Sequence, residues 1–385
     1  MKFEIVDVQN NGTVIKVVGV GGAGGNAVDH MIRNAVQGVE FIAMNTDAQA
    51  LAHGQAKNQI QLGASGLGAG AKPEAGRAAA TEAREQIEEA LQGAHMVFIT
   101  AGMGGGTGTG AAPLVAEVAK QMGILTVAVV TKPFSFEGNK RMQAAEGGID
   151  ELAQNVDSVI VILNEKLEEV LGGDVSMEEA FGAADNVLKN AVAGISEIIN
   201  IRGLINVDFQ DVKTVMHEQG MAMMGSASSS GMDRARIAAE QAVACPLLEG
   251  VNLSGARGVL VNITAAKSGL KLRETKEVME TIRSFAANDA TVILGAVYDE
   301  AMGDELRVTV VATGLGQPAA IRQTKPQLVV NKTGTDNMPV AAVDYTALDS
   351  MPAVIRKNRA STIEALQQNG MDKYDIPAFL RKQAD

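Results

Sequence analysis

The sequence has few of the residues that mark several common protein classes. It contains no tryptophan, only 3% aromatic residues and a single cysteine, Cys245, in 385 residues. One cysteine excludes a disulfide within the chain, and the N-terminus does not resemble a signal peptide, so we expect a cytoplasmic protein. The formal net charge of −12 argues against a nucleic-acid partner, whose binding surface would be basic.

Membrane spans and metal clusters are also missing from the sequence. No apolar run is long enough to cross a bilayer, so no direct membrane insertion is expected. Four histidines are scattered along the chain without metal-ligand spacing, and no residue is assigned directly to a metal. Those histidines are His30, His53, His95 and His217. The apolar content of 46% is sufficient for substantial cores, and the length suits two domains plus a tail.

Apolar runs alternate with helix-like segments in the first half of the chain. Such runs are typical of strands buried on both faces, and the alternation predicts βαβ units with a parallel sheet. The predicted strands are 14–20, 39–44, 95–101, 124–130 and 157–163, and the helix-like segments include 73–92 and 110–122. A polar or glycine-rich segment follows each strand, at the edge where open α/β sheets bind ligands.

A long helix over 176–201 is predicted to follow this unit. Ser176 and Glu179 form a capping-box signature, and Gly203 is a stop signal. Beyond it we expect a smaller α+β domain with helices at 233–244 and 271–286 and strands at 258–265, 291–298 and 305–314. Because only DEAMGD separates the last two strands, they are expected to form a hairpin.

The composition changes after Gly316, where five of the nine prolines lie. The sequence therefore predicts a flexible linker and a disordered tail that ends in a short peptide. That peptide carries an apolar cluster, Ile376, Pro377, Phe379 and Leu380, beside Arg381. It is either a frayed end or a docking peptide, and we favour docking because exposed apolar residues are otherwise a liability. The sequence therefore divides into a first domain (1–175), the long helix (176–203), the smaller domain (204–316), the linker (317–372) and the tail peptide (373–385).

The densest glycine cluster is AGMGGGTGTGAAP, residues 101–113, with six glycines in its first ten positions. A strand, a glycine turn and a helix together predict a phosphate site made of backbone N–H groups. A second loop, with Gly19, Gly21 and Gly24, fits G-x-G-x-x-G, and a third spans 63–73. The first two loops lack the Lys-Ser/Thr pair of a Walker A loop. Phosphate would therefore be held by backbone donors, by hydroxyls such as those of Thr107 and Thr109, and by a metal.

An alternative hypothesis is a dinucleotide-dependent oxidoreductase in which Asp47 bonds a ribose hydroxyl. This hypothesis leaves the GMGGGTGTG segment without a role. It also supplies no His, Lys or Cys constellation for hydride chemistry.

Seven segments together resemble the FtsZ family of tubulin-like cell-division GTPases. They are IKVVGVGGAGGNAV, NTDAQAL, AGMGGGTGTGAAP, TKPFSFEG, FGAADNVL, NVDFQDVKTVM and DIPAFLRKQAD. The resemblance covers 13–316 nearly continuously, plus the tail peptide. It implies a tubulin-like fold, GTP hydrolysis with GTP/GDP and Mg²⁺, and head-to-tail filaments in a cytokinetic ring at midcell, on the inner face of the membrane.

The resemblance also implies a set of GTP contacts. These are Gly22, Ala23, Gly24, Gly25, Asn26, Gly104, Gly105, Gly106, Thr107, Gly108, Glu137, Arg141, Asn164, Phe181 and Asp185. Glu137 and Arg141 would lie on the ribose side, with Phe181 and Asp185 at the base. Periodicity alone makes Phe181 a core residue, so its place at the base depends on the resemblance. Since residue 186 is Asn186, Asp185 would carry the acidic charge alone.

Asp208 and Asp211 in NVDFQD are the candidate catalytic residues. By itself D-x-x-D is typical of a solvated acidic helix start. The preceding helix, roughly 37 Å long, would place these residues far from their own nucleotide. The resemblance implies that they complete the active site of the next subunit, in a contact that does not close and so builds a filament. A guanine-nucleotide-binding scaffold without catalysis stays open as the other class, although the two aspartates favour the enzyme. FtsA and ZipA are the implied partners of the tail peptide.

Overall fold

In the part of the chain that the structure describes, ten strands form one sheet. The computed structural model describes residues 12–315 except 173, 202, 219–220, 245–254, 268 and 288. In chain order the strands are β1 Ile15–Val20, β2 Glu40–Asn45, β3 Asn58–Gln61, β4 Met96–Gly102, β5 Leu125–Lys132, β6 Ser158–Leu163, β7 Met221–Ser230, β8 Gly258–Ala265, β9 Thr291–Tyr298 and β10 Glu305–Leu315. Their order across the sheet is β3-β2-β1-β4-β5-β6-β7-β10-β8-β9. Cys245, the predicted linker and the tail peptide lie outside the described residues.

Helices cover both faces of this sheet. They are α1 Gly21–Arg33, α2 Ala48–His53, α3 Pro73–Glu82, α4 Arg84–Leu91, α5 Thr107–Gln121, α6 Asn139–Asn155, α7 Asn164–Leu171, α8 Met177–Asn200, α9 Phe209–Met216, α10 Arg234–Val243 and α11 Leu272–Arg283. Short 3₁₀ helices span Ser135–Glu137 and Glu300–Met302. None of the described helices is long and apolar enough to cross a membrane.

The first six strands pair in parallel, which confirms the predicted sheet. Every residue of β1 is buried, because alternate side chains enter the cores on opposite faces. Val18 and Val20 pack in one apolar core, and Ile15 and Val17 in the other. This two-sided burial explains why the strands have continuous apolar runs instead of an alternating pattern.

The predicted hairpin between the last two strands is wrong. β9 pairs in parallel with β8, and β10 runs antiparallel between β7 and β8. The short connection therefore passes across the end of β8 instead of closing a two-stranded turn. Its central residues form a 3₁₀ turn in which the Asp299 carboxylate accepts from the N–H of Ala301. A short connection shows that two strands lie near each other, but it does not show that they pair, and here β8 lies between them.

Other boundaries also differ from the predicted ones. The segment 73–92 forms two helices, because the N–H of Ala83 is shared between the carbonyls of Ala79 and Ala80, as at a helix end. Helix α5 begins at Thr107, so the last glycines of the cluster belong to its first turn and Pro113 lies inside it. Strands β3 and β7 were not predicted.

The long helix α8 follows its prediction closely. The Ser176 hydroxyl accepts from the N–H of Glu179, and the Glu179 carboxylate accepts from the N–H of Ser176. Its apolar stripe lies in the core that also contains Ile15 and Val17. The sheet continues alongside it, with β6 joined to β7 by the pairs Val159–Met221 and Ile160–Ala222. All described residues belong to one compact unit, and the division into the domains given above stays a prediction.

Candidate functional site

A cavity of about 290 Å³ opens at the carboxyl ends of four neighbouring strands. Val20 ends β1, Gly102 ends β4, Thr131 lies at the end of β5, and Asn164 directly follows β6; all four line the cavity. This is the edge at which the sequence predicts a ligand. The cavity is therefore formed by loops that a rigid parallel sheet holds in place.

The cavity brings together ten of the predicted GTP contacts. They are Gly22, Ala23, Gly105, Gly106, Thr107, Gly108, Glu137, Arg141, Asn164 and Phe181. Sequence reasoning missed Met103 and Thr131, although both belong to loops that it identified, and it gave no role to Gly70 within the loop 63–73. Gly24, Gly25, Asn26, Gly104 and Asp185 are not among the described residues that line the cavity.

The glycines of these loops are of two kinds. A Cβ at Gly106 would overlap the carbonyl oxygen of Gly70 and lie 3.0 Å from the carbonyl oxygen of Lys72, so the loop 63–73 excludes any side chain there. The N–H of Gly106 donates to that Gly70 carbonyl over 3.0 Å. By contrast, a Cβ at Gly22 or Gly105 would meet nothing in the described protein within 4 Å. These two glycines leave free space for a ligand and keep backbone N–H groups accessible.

Two threonines near this backbone have different partners. The Thr107 hydroxyl lies 2.6 Å from the Thr46 hydroxyl and lines the cavity. The Thr109 hydroxyl is buried and accepts from the N–H of Gly104 over 2.8 Å. Thr109 therefore shapes the glycine loop from within, whereas Thr107 faces the cavity.

A short turn, Ser135–Glu137, forms another wall of the cavity. The Glu137 carboxylate accepts from the N–H of Phe134 over 2.9 Å and pairs with Arg141. The Glu165 carboxylate accepts from both the N–H and the hydroxyl of Ser135, each over 2.9 Å. The turn that carries Glu137, one of the two predicted ribose contacts, is thus fixed at both ends, and the other contact, Arg141, pairs with it from α6.

Three phenylalanines form an aromatic group beside this turn. Phe134 stacks on Phe136 with ring centroids 5.1 Å apart, and it forms a T-shaped pair with Phe181 at a centroid distance of 5.5 Å. Phe181 is 43% exposed and lines the cavity, so the core position that periodicity alone favours is wrong. Its exposed ring can stack on a planar base.

Asn164 has an unsatisfied polar atom in this wall. The side chain is 5% exposed, and its Oδ1 is buried without a hydrogen-bond partner among the described residues. A buried carbonyl oxygen without a partner is unfavourable, and a ligand that brings an N–H or O–H group would satisfy it.

Asp185 lies on α8, one turn beyond Phe181, and is half-buried. Burial raises the pKa of its carboxyl to about 6, while the nearby charges of His30 and Arg33 oppose the shift. The neighbouring Asn186 amide lies 2.9 Å from Nε2 of His30 on α1. The base-side end of α8 is therefore joined to α1, which begins in the first glycine loop.

Asp208 and Asp211 lie beyond the other end of α8. Helix α8 has 24 residues and is roughly 36 Å long, with Phe181 in its second turn. Both aspartates are exposed at the start of α9, where they form a reciprocal cap. This arrangement is also that of an ordinary solvated helix start, so their chemical role stays a prediction.

Asp47 and the acidic, histidine and cysteine side chains of the described residues show no sign of a second site. The Asp47 carboxylate accepts from the N–H groups of Gln49 and Ala50 and caps α2, so the acid that a dinucleotide site requires is already engaged. Within the described ranges, no group of three or more His, Cys, Asp or Glu side chains could hold a metal ion.

Comparisons with known proteins agree with this geometry. Residues 14–172 match the profile of the Tubulin/FtsZ family, GTPase domain, and residues 220–316 match that of the FtsZ family, C-terminal domain. The cell division protein FtsZ of Pseudomonas aeruginosa is 57% identical, with both chains covered in full. That of Coxiella burnetii is 54% identical over 99% of each chain. The chain belongs to the FtsZ family.

Solved structures extend the likeness to the fold. A structure described as an empty FtsZ dimer from M. jannaschii has a TM-score of 0.75 and 45% identity, and the match covers 80% of this chain and 89% of that one. CetZ2 from Haloferax volcanii, at 20% identity and a TM-score of 0.68, shares the fold. As a member of the FtsZ family, this protein is a tubulin-like GTPase of cell division that binds guanine nucleotide and self-associates into filaments.

Proposed function

We propose that the cavity at the ends of β1, β4, β5 and β6 holds the GTP and that hydrolysis takes place only between two subunits. The open glycines Gly22 and Gly105 support the phosphate position, because a side chain there would fill the space that the ligand needs. The Oδ1 of Asn164, which has no hydrogen-bond partner among the described residues, supports the ribose position, and the exposed ring of Phe181 supports the base position. The Asp185 carboxylate would accept from the guanine N–H groups.

The observation that carries the two-subunit site is the length of α8. Roughly 36 Å of helix separates the base-side residues from Asp208 and Asp211, so these aspartates act on the nucleotide of the next subunit along the filament. There they orient and activate the attacking water at the γ-phosphate. The other predicted contacts that do not line the cavity would either support its loops or contact the nucleotide from its rim; these are Gly24, Gly25, Asn26 and Gly104.

Mg²⁺ would enter with the nucleotide. Because no group of three or more His, Cys, Asp or Glu side chains among the described residues could hold a metal ion, the ion would be held mainly by phosphate oxygens and water, which is its usual mode in nucleotide sites. When bound it neutralises phosphate charge. The protein's own part is to orient the phosphates with backbone N–H groups.

The filament would assemble at midcell on the inner face of the membrane as the cytokinetic ring. The apolar tail residues Ile376, Pro377, Phe379 and Leu380, with Arg381, would bind membrane-tethering division proteins such as FtsA and ZipA. The composition of the tail supports this docking role.

The shared site is tested by GTP turnover measured against protein concentration. Specific activity should rise from near zero above a threshold, because a lone subunit holds GTP without a water-orienting carboxylate. A rate per subunit that does not change with concentration would contradict the proposal and favour hydrolysis within one subunit.

A further inference from the structure

The C-terminal end of α9 is attached to the rest of the protein by three polar contacts. The Ser158 hydroxyl, at the start of β6, donates to the carbonyl of Met216 over 2.7 Å. The Thr313 hydroxyl, near the end of β10, donates to the carbonyl of Val215 over 2.6 Å. Nδ1 of His217, which follows the helix, lies 2.9 Å from Oδ1 of Asp157. The last four carbonyls of a helix lack their usual partners, so these contacts fix the helix end as well as satisfying it.

Both hydroxyl contacts are built into the interior. Ser158 is 1% exposed and Thr313 is 0% exposed. A Cβ at Gly258 would lie 2.5 Å from the Thr313 hydroxyl oxygen and 3.0 Å from the carbonyl oxygen of Val215, so only glycine lets β8 approach this bond. The contacts come from β6, in the parallel part of the sheet, and from β10, in the antiparallel part. Helix α9 is therefore held against both parts.

The N-terminal end of α9 carries the two aspartates. Val212, Val215 and Met216 are fully buried, whereas Asp208 and Asp211 are exposed. The eight residues of α9 span only about 12 Å. A tilt or rotation at the anchored end therefore displaces both carboxylates, although no described residue at that end lines the nucleotide cavity.

We propose that Ser158 and Thr313 are positioning residues for GTP hydrolysis, which act through α9 to aim Asp208 and Asp211 at the nucleotide of the adjoining subunit. This inference rests on the proposed two-subunit site. Its distinctive consequence is that loss of either hydroxyl impairs a subunit as a donor of aspartates and leaves it intact as a holder of GTP. A misplacement of about 1 Å in catalytic groups lowers a rate by up to roughly 10²-fold.

The first experiment compares Thr313→Val with a matched control, Thr309→Val. Thr309 is also buried and lies on β10, but its hydroxyl contacts Ser226 on β7 instead of α9. We expect both variants to bind GTP as the parent does and to lose similar thermal stability. Turnover in filaments should fall roughly 10- to 100-fold for Thr313→Val alone, and Thr313→Ser should restore most of it. Equal turnover for the two valine variants would overturn the inference.

The second experiment assigns the defect to one side of the interface. Gly105→Val fills the ligand space without meeting a described protein atom at its Cβ, so it should lose nucleotide binding and leave the aspartates intact, and copolymers of it with Thr313→Val should recover turnover. Copolymers of Thr313→Val with Asp211→Ala should not recover, because both subunits are poor donors. The opposite pattern would overturn the inference. Ser158→Ala is tested in the same way and decides the question if Thr313→Val does not fold.

A reference mixture separates this inference from the proposed function. Gly105→Val mixed with Asp211→Ala must recover turnover in verified copolymers if the active site is shared. If this mixture fails, the two-subunit site is wrong and the inference falls with it. If it recovers while Thr313→Val and Ser158→Ala behave as Thr309→Val does, only the positioning role is wrong.

Discussion

Asp208 and Asp211 cap each other at the start of α9. The N–H of Asp211 donates to Oδ1 of Asp208 over 2.8 Å, and the N–H of Asp208 donates to Oδ2 of Asp211 over 3.4 Å. Each carboxylate thus has a structural partner in its own chain, yet both side chains remain exposed. A helix cap needs only a side-chain oxygen, whereas activation of water needs a carboxylate, so substitution can separate the two roles.

Asp208→Asn should keep the cap and lose the charge. Asparagine is as good an N-cap as aspartate, so thermal stability should stay close to that of the parent, while Asp208→Ala should lose about 1 kcal/mol. Both variants should lower turnover by roughly 10²–10⁴-fold. Thermal melts and steady-state turnover on the same preparations check this. Full turnover in Asp208→Asn would limit Asp208 to a structural role.

GTP affinity should depend on the ionisation of Asp185. Because burial raises the pKa of this carboxyl to about 6, affinity should be constant above pH 7 and fall as the pH decreases through 6, where the protonated acid no longer accepts from guanine. Asp185→Ala should lose about 1.5–3 kcal/mol of binding free energy at pH 7.5. Calorimetric titration between pH 5 and 8 measures both effects, and parental affinity in Asp185→Ala would refute the assignment.

Asp185→Asn provides a control, because it should weaken GTP binding and at the same time stabilise the nucleotide-free protein. A carboxyl whose pKa is raised by folding contributes stability that is present below its unfolded value of 3.8 and is lost as pH rises through about 6. At pH 7.5 the nucleotide-free Asp185→Asn protein should therefore be more stable than the parent, by up to about 1–2 kcal/mol after solvent screening. Its weak GTP binding should not vary with pH through this group.

The two kinds of glycine should respond differently to alanine. Gly105→Ala adds a methyl group that meets no described protein atom within 4 Å, so the fold should be unaffected while the phosphate loses space and affinity falls. Gly110→Ala drives its methyl group into the carbonyl of Pro73 on α3, away from the cavity, and should cost about 1–3 kcal/mol of stability. Measurements on both variants should show lower GTP affinity with an unchanged melting temperature for Gly105→Ala, and a lower melting temperature for Gly110→Ala. A lower melting temperature for Gly105→Ala would contradict the free space at this position.

The tail peptide should be separable from the GTPase. Deletion of residues 374–385 should leave polymerisation and turnover nearly intact and abolish binding to membrane-tethering proteins. Phe379→Ala should weaken that binding, with Lys382→Ala as a control outside the apolar cluster. Unchanged partner affinity in Phe379→Ala would refute the docking role.

Much of the fold could be predicted because its parallel strands are buried on both faces. Strands β8 and β9 follow their predicted bounds, 258–265 and 291–298, for the same reason of continuous apolar runs. Strand β3, NQIQ, was missed because only Ile60 is buried, and β7, MAMMGSASSS, because small and polar residues replace an apolar pattern. The pairing of β10 was missed because connection length does not determine which strand is a neighbour.

The candidate site could be predicted as loops but not as contacts. Glycine spacing identified the strand ends that meet at the cavity. It could not show that Thr109 turns inward to Gly104 or that Phe181 lies exposed beside Phe134, since both depend on packing between distant segments. The capping of α9 by Ser158 and Thr313 joins residues 58 and 98 positions away from their partners, and no local pattern indicates it.

The most direct test of the shared active site is the mixture of Asp211→Ala with Gly105→Val, whose side chain enters the open part of the cavity. The first variant should bind GTP without hydrolysing it, and the second should donate intact aspartates without holding a nucleotide. Each alone should be inactive. Their copolymers, verified by sedimentation, should recover turnover in proportion to the fraction of interfaces in which Gly105→Val donates to Asp211→Ala. Demonstrated copolymers that stay inactive would contradict the account and place both aspartates in the active site of their own subunit.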